Sequence, residues 1–196
     1  MKYDDIRDKL NVGDIVLFSG NSGFSRIIRH FCRSDFSHVG IVWRIDQWDL
    51  NMLWESTTQG KIPDVFDLTI KQGVQTVALS QKIARYDGEV TIRRLNKPLT
   101  DDMIRAMTDF RRVVKNRPYE ENKWNLAKAV LDRSSDNDED LSSLFCSELV
   151  AETYQRMGLL SEDTPSSEYI PHDFSSAKMK KLLQGYKLLD EIKLEK

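Results

Sequence analysis

At 196 residues the chain has room for one good core, and 29 Lys+Arg against 31 Asp+Glu leave no basic excess for nucleic acid to hold. Residues 1–10 are charged with no apolar stretch behind them, and no segment approaches bilayer length, so neither a signal peptide nor a transmembrane segment is expected. Two cysteines without disulfide-like spacing fit a reducing compartment, so the expectation is a cytoplasmic, single-domain protein over residues 1–196.

Gly13-Asp14-Ile15-Val16-Leu17-Phe18 reads as a strand entered through a tight turn, and Gly/Ser punctuation follows at 19–23. Phe24, Ile27, Ile28, Phe31 and Cys32 then recur at helical spacing, which makes Cys32 a core residue of a short helix. Two strands, 37–45 and 51–57, are joined by a hairpin turn at 46–49. Further strands are expected at 73–79 and 89–95, with Asp87-Gly88 between them. Thr100 caps a helix to about Asn116 that carries Met103, Ile104, Met107, Phe110 and Val114 on one face, and Pro118 stops it. A helix at 124–131 precedes an acidic, Ser-rich loop at 134–143. A last helix carries Cys146 to about Met157, where Gly158 ends it. Strands first and helices later argue for α+β rather than a doubly wound sheet. Residues 177–196 admit two readings: Leu182, Leu183, Tyr186, Leu189 and Ile192 suit a helical face, and Gly185 interrupts it.

The chemistry centres on Cys146, His38 and Glu55. A thiol in the first turn of a helix meets unpaired N–H groups and the helix dipole, both of which favour the thiolate, although Asp138 to Asp140 oppose it. A two-residue turn at 46–47 places His38 directly opposite Glu55, and a four-residue turn at 46–49 moves Glu55 one diagonal step away. Both registers keep the two on one face, where a carboxylate fixes an imidazole's tautomer. Cys146, Leu149, Val150, Thr153 and Met157 form one helical stripe, so a helix laid on the sheet with its start near His38 would join sulfur and imidazole. Its backbone N–H groups, including that of Ser147, would then point at a developing oxyanion. Periodicity alone favours Cys146 as a small core residue, and taken singly His38 reads as a hydrogen-bonded strand histidine and Glu55 as a surface charge. His30 and His172 have no partner spacing, so no metal site and no cofactor are expected. Asp136, Asp138 and Asp140 mimic a calcium loop, but Leu141 stands where its glycine belongs and Ser147 where its bidentate Glu belongs.

In order along the chain, Gly13 to Phe18, Ser37-His38-Val39-Gly40-Ile41-Val42, Trp54-Glu55-Ser56 and Phe145-Cys146-Ser147-Glu148-Leu149-Val150 resemble the circularly permuted branch of the NlpC/P60 (papain-like) superfamily. This is the branch of the YiiX-like and YaeF-like bacterial proteins, with lecithin:retinol acyltransferase-like enzymes as distant cousins. The resemblance runs from about Val12 to Phe174 and implies an antiparallel sheet packed against helices. It further implies Cys146 as nucleophile, His38 as general base and Glu55 as the orienting residue. Tyr119 corresponds to the tyrosine placed before the cysteine helix, near the oxyanion or substrate amine, and reads equally as a packing tyrosine after a helix stop. Asn116-Arg117-Pro118-Tyr119-Glu120 lacks the glycine that usually opens this motif. The activity implied by the resemblance is that of a thiol hydrolase of peptides or amino-acid amides, for example from cell-wall stems. The rivals are a lipid acyl-ester hydrolase or acyltransferase, and a non-catalytic binding module of the same fold.

Overall fold

The computed structural model describes residues 1–21, 35–57, 60–115, 140–179 and 181–195, with the backbone alone for 140–145. Its six-stranded antiparallel sheet has the order β4-β3-β2-β1-β5-β6, from β1 (Ile15–Gly20), β2 (His38–Ile45), β3 (Leu50–Thr57), β4 (Gly73–Ala78), β5 (Gly88–Arg93) and β6 (Ile192–Lys193). Three helices are found among the described residues: α1 (Leu79–Arg85), α2 (Asp101–Val114) and α3 (Asp140–Arg156).

Period-two alternation divides the strands between two cores. Ile15, Leu17, Val39, Ile41 and Trp54 face α2 and α3, whose Met103, Met107, Phe110, Leu149, Val150 and Tyr154 complete that cluster. Val16, Phe18, Val42 and Leu53 face the other way, onto Leu79 and Ile83 of α1 and onto Ile6 and Leu10 of the N-terminal 3-10 turns. The central strands are therefore buried on both sides, which is why they read as near-continuous apolar runs. Thr100 caps α2 by accepting the Met103 N–H, and Gly158 follows α3 in the left-handed conformation, with φ of 67°.

The hairpin between β2 and β3 takes the four-residue form. Asp46–Trp48 make a 3-10 turn and Asp49 is left-handed, so Ile45 pairs with Leu50 and Ile41 with Trp54. Other boundaries depart from expectation. β4 stops at Ala78, and residues 79–85 form a helix that only two buried apolar side chains announce. β5 stops at Arg93, two residues short of the expected end. Helix α3 begins at Asp140, so the last four residues of the supposed 134–143 loop are helical; an acidic residue at a helix start suits the dipole. The C-terminal segment is extended, with a 3-10 turn at Leu183–Gly185 and β6 paired to β5. The helices expected at 24–32 and 124–131, Pro118, the loop residues 134–139, and with them His30, Cys32 and Tyr119, lie outside the described residues.

Candidate active site

His38 opens β2, paired across from Phe18 of β1, and Glu55 stands near the end of β3. In the four-residue register the two are diagonal neighbours on one face, and His38 Nε2 lies 2.6 Å from Glu55 Oε2. Both are buried, Glu55 completely. An ionised carboxylate only accepts, so Nε2 carries the proton and Nδ1 is the ring atom left with a lone pair. The second oxygen, Oε1, accepts from Lys82 Nζ at 2.7 Å and from Gln75 Nε2 at 2.8 Å. Burial opposes charge on Glu55, yet Lys82 and His38 outweigh it and hold the carboxyl well below the usual range. Burial lowers the affinity of His38 for a proton; Glu55 pulls the other way and the charge of Lys82 pushes it down again, with a net lowering. The imidazole at rest is therefore neutral at pH 7.

Sequence spacing singles out neither Lys82 nor Gln75. Gln75 pairs with Glu55 in the β3–β4 register, but the connection between those strands is too long for a turn rule to fix that register. Lys82 rides on α1, the helix that periodicity does not reveal.

Helix α3 crosses β2 and β3 and brings Cys146, a reduced and fully buried thiol, to the head of β2. Burial pushes this thiol up to about 12, and the nearby Glu55 charge adds to the rise, while the backbone N–H of Val39, with those of Ser147 and Cys146, works against it. The Val39 contact places the sulfur beside the residue that follows His38. Cys146 belongs to the core shared with α2, whereas His38 and Glu55 share their face with Phe18 and α1, so thiol and imidazole approach the head of β2 from its two sides. The expectation of a thiolate stabilised in the first turn is corrected. Because α3 starts at Asp140, Cys146 stands in the second turn, and burial rather than the dipole sets its protonation.

The predicted stripe of Cys146, Leu149, Val150, Thr153 and Met157 is buried, and Ser147, Ala151 and Tyr154 are buried with it. A segment with 3-10 turns at Ser166–Glu168 and Pro171–Phe174 packs on α3. The Ser147 hydroxyl donates to the Tyr169 carbonyl of that segment at 2.5 Å. Past Tyr169 lies an open cleft of about 640 Å³, lined by Thr164, Glu168, Asp173, Lys178, Met179 and Lys181. Asp173 has a structural task there, accepting the Ile170 N–H. Among the described residues no group of three or more His, Cys, Asp or Glu side chains is placed to hold a metal ion. No described helix is long and apolar enough to cross a membrane.

A family model described as "Permuted papain-like amidase enzyme, YaeF/YiiX, C92 family" matches residues 9–179. No curated protein matches the chain. Among solved structures, the crystal structure of metalloprotein YiiX from Escherichia coli O157:H7 is similar at 18% identity and a TM-score of 0.50, over 95% of this chain and 97% of that one. Such a likeness speaks for the fold alone, and the α+β architecture with its antiparallel sheet agrees with it.

Proposed function

The chain belongs to the permuted papain-like amidases of the YaeF/YiiX, C92 family, and on that footing we propose that Cys146 is the nucleophile, His38 its general base and Glu55 the carboxylate that orients the imidazole. The observation that carries the reading is the buried 2.6 Å contact between His38 Nε2 and Glu55 Oε2, one residue from the Val39 N–H that meets the thiol. With thiol and imidazole both neutral at rest, the proton moves during attack and no preformed ion pair is required. His38 Nδ1 takes the thiol proton as sulfur adds to the amide carbonyl carbon. The negative charge gathers on the former carbonyl oxygen of the tetrahedral intermediate. The C–N bond then breaks, the imidazolium gives its proton to the leaving amine, and a thioester remains. Water, deprotonated by the same imidazole, adds to the thioester, and its collapse releases a carboxylic acid and the reprotonated thiol.

Small peptides or amino-acid amides, such as cell-wall stems, are the substrate class this reading favours, because the family is one of amidases. A second reading, hydrolysis or transfer of lipid acyl esters, draws support from Phe66, Leu68 and Ile70, three apolar side chains exposed together between β3 and β4. Mass spectrometry of the protein after incubation with dipeptide amides and with short- and long-chain acyl esters separates the readings. An acyl adduct on Cys146 from amides, absent in Cys146→Ala, is the expected result. An adduct and turnover from long-chain esters alone would reverse the ranking, and no adduct from either class would leave a binding module.

A further inference from the structure

We propose that Lys82 is a positioning residue of this site, anchoring the Glu55 oxygen that His38 does not use and keeping the imidazole in its proton-accepting form. The proposal rests on the reading of His38 as base and starts from how the carboxylate is shared. Oε2 is given to His38 Nε2, and Oε1 to Lys82 Nζ at 2.7 Å and Gln75 Nε2 at 2.8 Å. Held through both oxygens by neighbours from β2, β4 and α1, Glu55 cannot rotate, and its plane fixes the ring it meets. Lys82 is itself confined: its side chain is 12% exposed, and its ammonium lies 5.5 Å from the centre of the Phe18 ring, which in turn meets the His38 ring at 5.4 Å. Leu79 and Ile83, buried on either side of it in the sequence, seat α1 on the sheet.

The charge count gives the arrangement its consequence. A buried Glu55 alone beside His38 would draw a proton onto the imidazole and form an ion pair, leaving a ring unable to accept from a thiol. With Lys82 present the carboxylate is already neutralised, and a proton on His38 would place a second, uncompensated cation in the interior. Among the described residues, the charges acting on His38 are those of Glu55 from β3 and Lys82 from α1. Among the described residues, the other groups near the site are Gln75 from β4, which is neutral; Cys146 from α3, whose thiol is protonated; and Tyr86, which follows α1 and packs at a tilt on Phe18. None of these supplies a second positive charge.

The test is an NMR titration of the His38 ring, assigned by its loss in His38→Gln, in the wild-type protein, Lys82→Gln and Lys82→Arg. Lys82→Gln keeps a donor to Glu55 and removes the charge, so the midpoint should rise by about one pH unit, while Lys82→Arg should hold the wild-type value. The acid limb of kcat/KM should move in the same sense. An unmoved or lowered midpoint in folded Lys82→Gln overturns the proposal. If that variant does not fold, a displaced midpoint in Lys82→Arg does so. Because the titration reads the ring without turnover, it separates failure of this proposal from failure of the Cys146 assignment, which would appear as full activity in Cys146→Ala.

Discussion

In the proposed mechanism three side chains divide the chemistry, and their variants should separate by what each removes. Cys146→Ala takes away the bond-forming atom and His38→Ala the proton acceptor, so each should lower kcat/KM by about 1,000-fold or more. Glu55→Gln leaves an acceptor for His38 Nε2 but sets an amide donor against Lys82 or Gln75, which disturbs orientation and the charge balance. A loss of about 10- to 100-fold, smaller than the other two, is expected. The sign of the pH dependence is set by His38. Its proton affinity is lowered in the folded protein, so the neutral base persists below the ordinary value of 6.5. Stability contributed by keeping the ring neutral is complete above 6.5 and is lost as pH falls through the folded value, where the ring must charge in a buried setting. Steady-state kinetics on the three variants, with a wild-type pH profile down to pH 5, checks both. A wild-type acid limb centred above 6.5 would contradict the buried neutral ring, and Glu55→Gln as inactive as His38→Ala would give the carboxylate more than an orienting task.

At the scale of elements, β2 carries the site on a strand that tolerates no added bulk at its centre. A Cβ on Gly40 would stand 2.7 Å from Leu53 Cδ1 and 3.1 Å from both Leu53 Cγ and the Trp54 carbonyl oxygen. Gly40→Ala should therefore cost about 1–3 kcal/mol of stability in urea unfolding by forcing β2 and β3 apart beside Glu55. A change below about 0.5 kcal/mol would mean that Leu53 turns aside at little cost. The same hairpin explains what is legible in the sequence. Side chains alternate whatever the turn length, so the shared face of His38 and Glu55 is a matter of parity, and only the choice between a direct and a diagonal pairing depends on Asp49 in its left-handed conformation. Elements that depend on distant partners are not legible. Helix α1 has two buried apolar residues in seven, too few to set a period, and Lys82 is hidden with it. The start of α3 reads as a loop because Asp and Ser favour caps and turns over helix interiors. The protonation of Cys146 depends on burial, a property of packing that no spacing records. In the C-terminal segment the extended reading wins because its backbone pairs with β5 and its flank: the Leu189 N–H reaches the Arg94 carbonyl and the Asn96 N–H that of Lys187.

Across the whole molecule, one buried cation joins the sheet to the segments that enclose α3. Arg93, at the end of β5, is 2% exposed, and its guanidinium donates to four carbonyls: Nε to Leu189 at 2.9 Å, Nη1 to Phe174 at 2.8 Å and to Met179 at 2.9 Å, and Nη2 to Leu188 at 2.9 Å. Burial weakens its hold on the proton, but a guanidinium stays charged, and carbonyl dipoles supply the compensation that water would otherwise give. Two of these carbonyls hold the C-terminal segment alongside β5. That of Phe174 holds the turn whose ring packs edge-on against Tyr154 of α3, and the Tyr154 hydroxyl donates to the Gly13 carbonyl at 2.6 Å, at the entry to β1. The helix that carries Cys146 is thus located by a chain of contacts that begins at Arg93. Arg93→Met keeps much of the volume but strands four acceptors in the interior. Each costs about 1–3 kcal/mol if unmet, and water admitted by local opening relieves part of that, so a net loss of about 3 kcal/mol is expected. Hydrogen exchange distinguishes this from a uniform loss of stability. The amides of Leu189 and Leu194 should exchange much faster under native conditions, while those in the β1–β2 ladder keep their protection until global unfolding. If the C-terminal amides in Arg93→Met are as protected as in the wild-type protein, the C-terminal segment is held by its apolar side chains, Tyr186, Leu188 and Leu194, and not by the buried guanidinium.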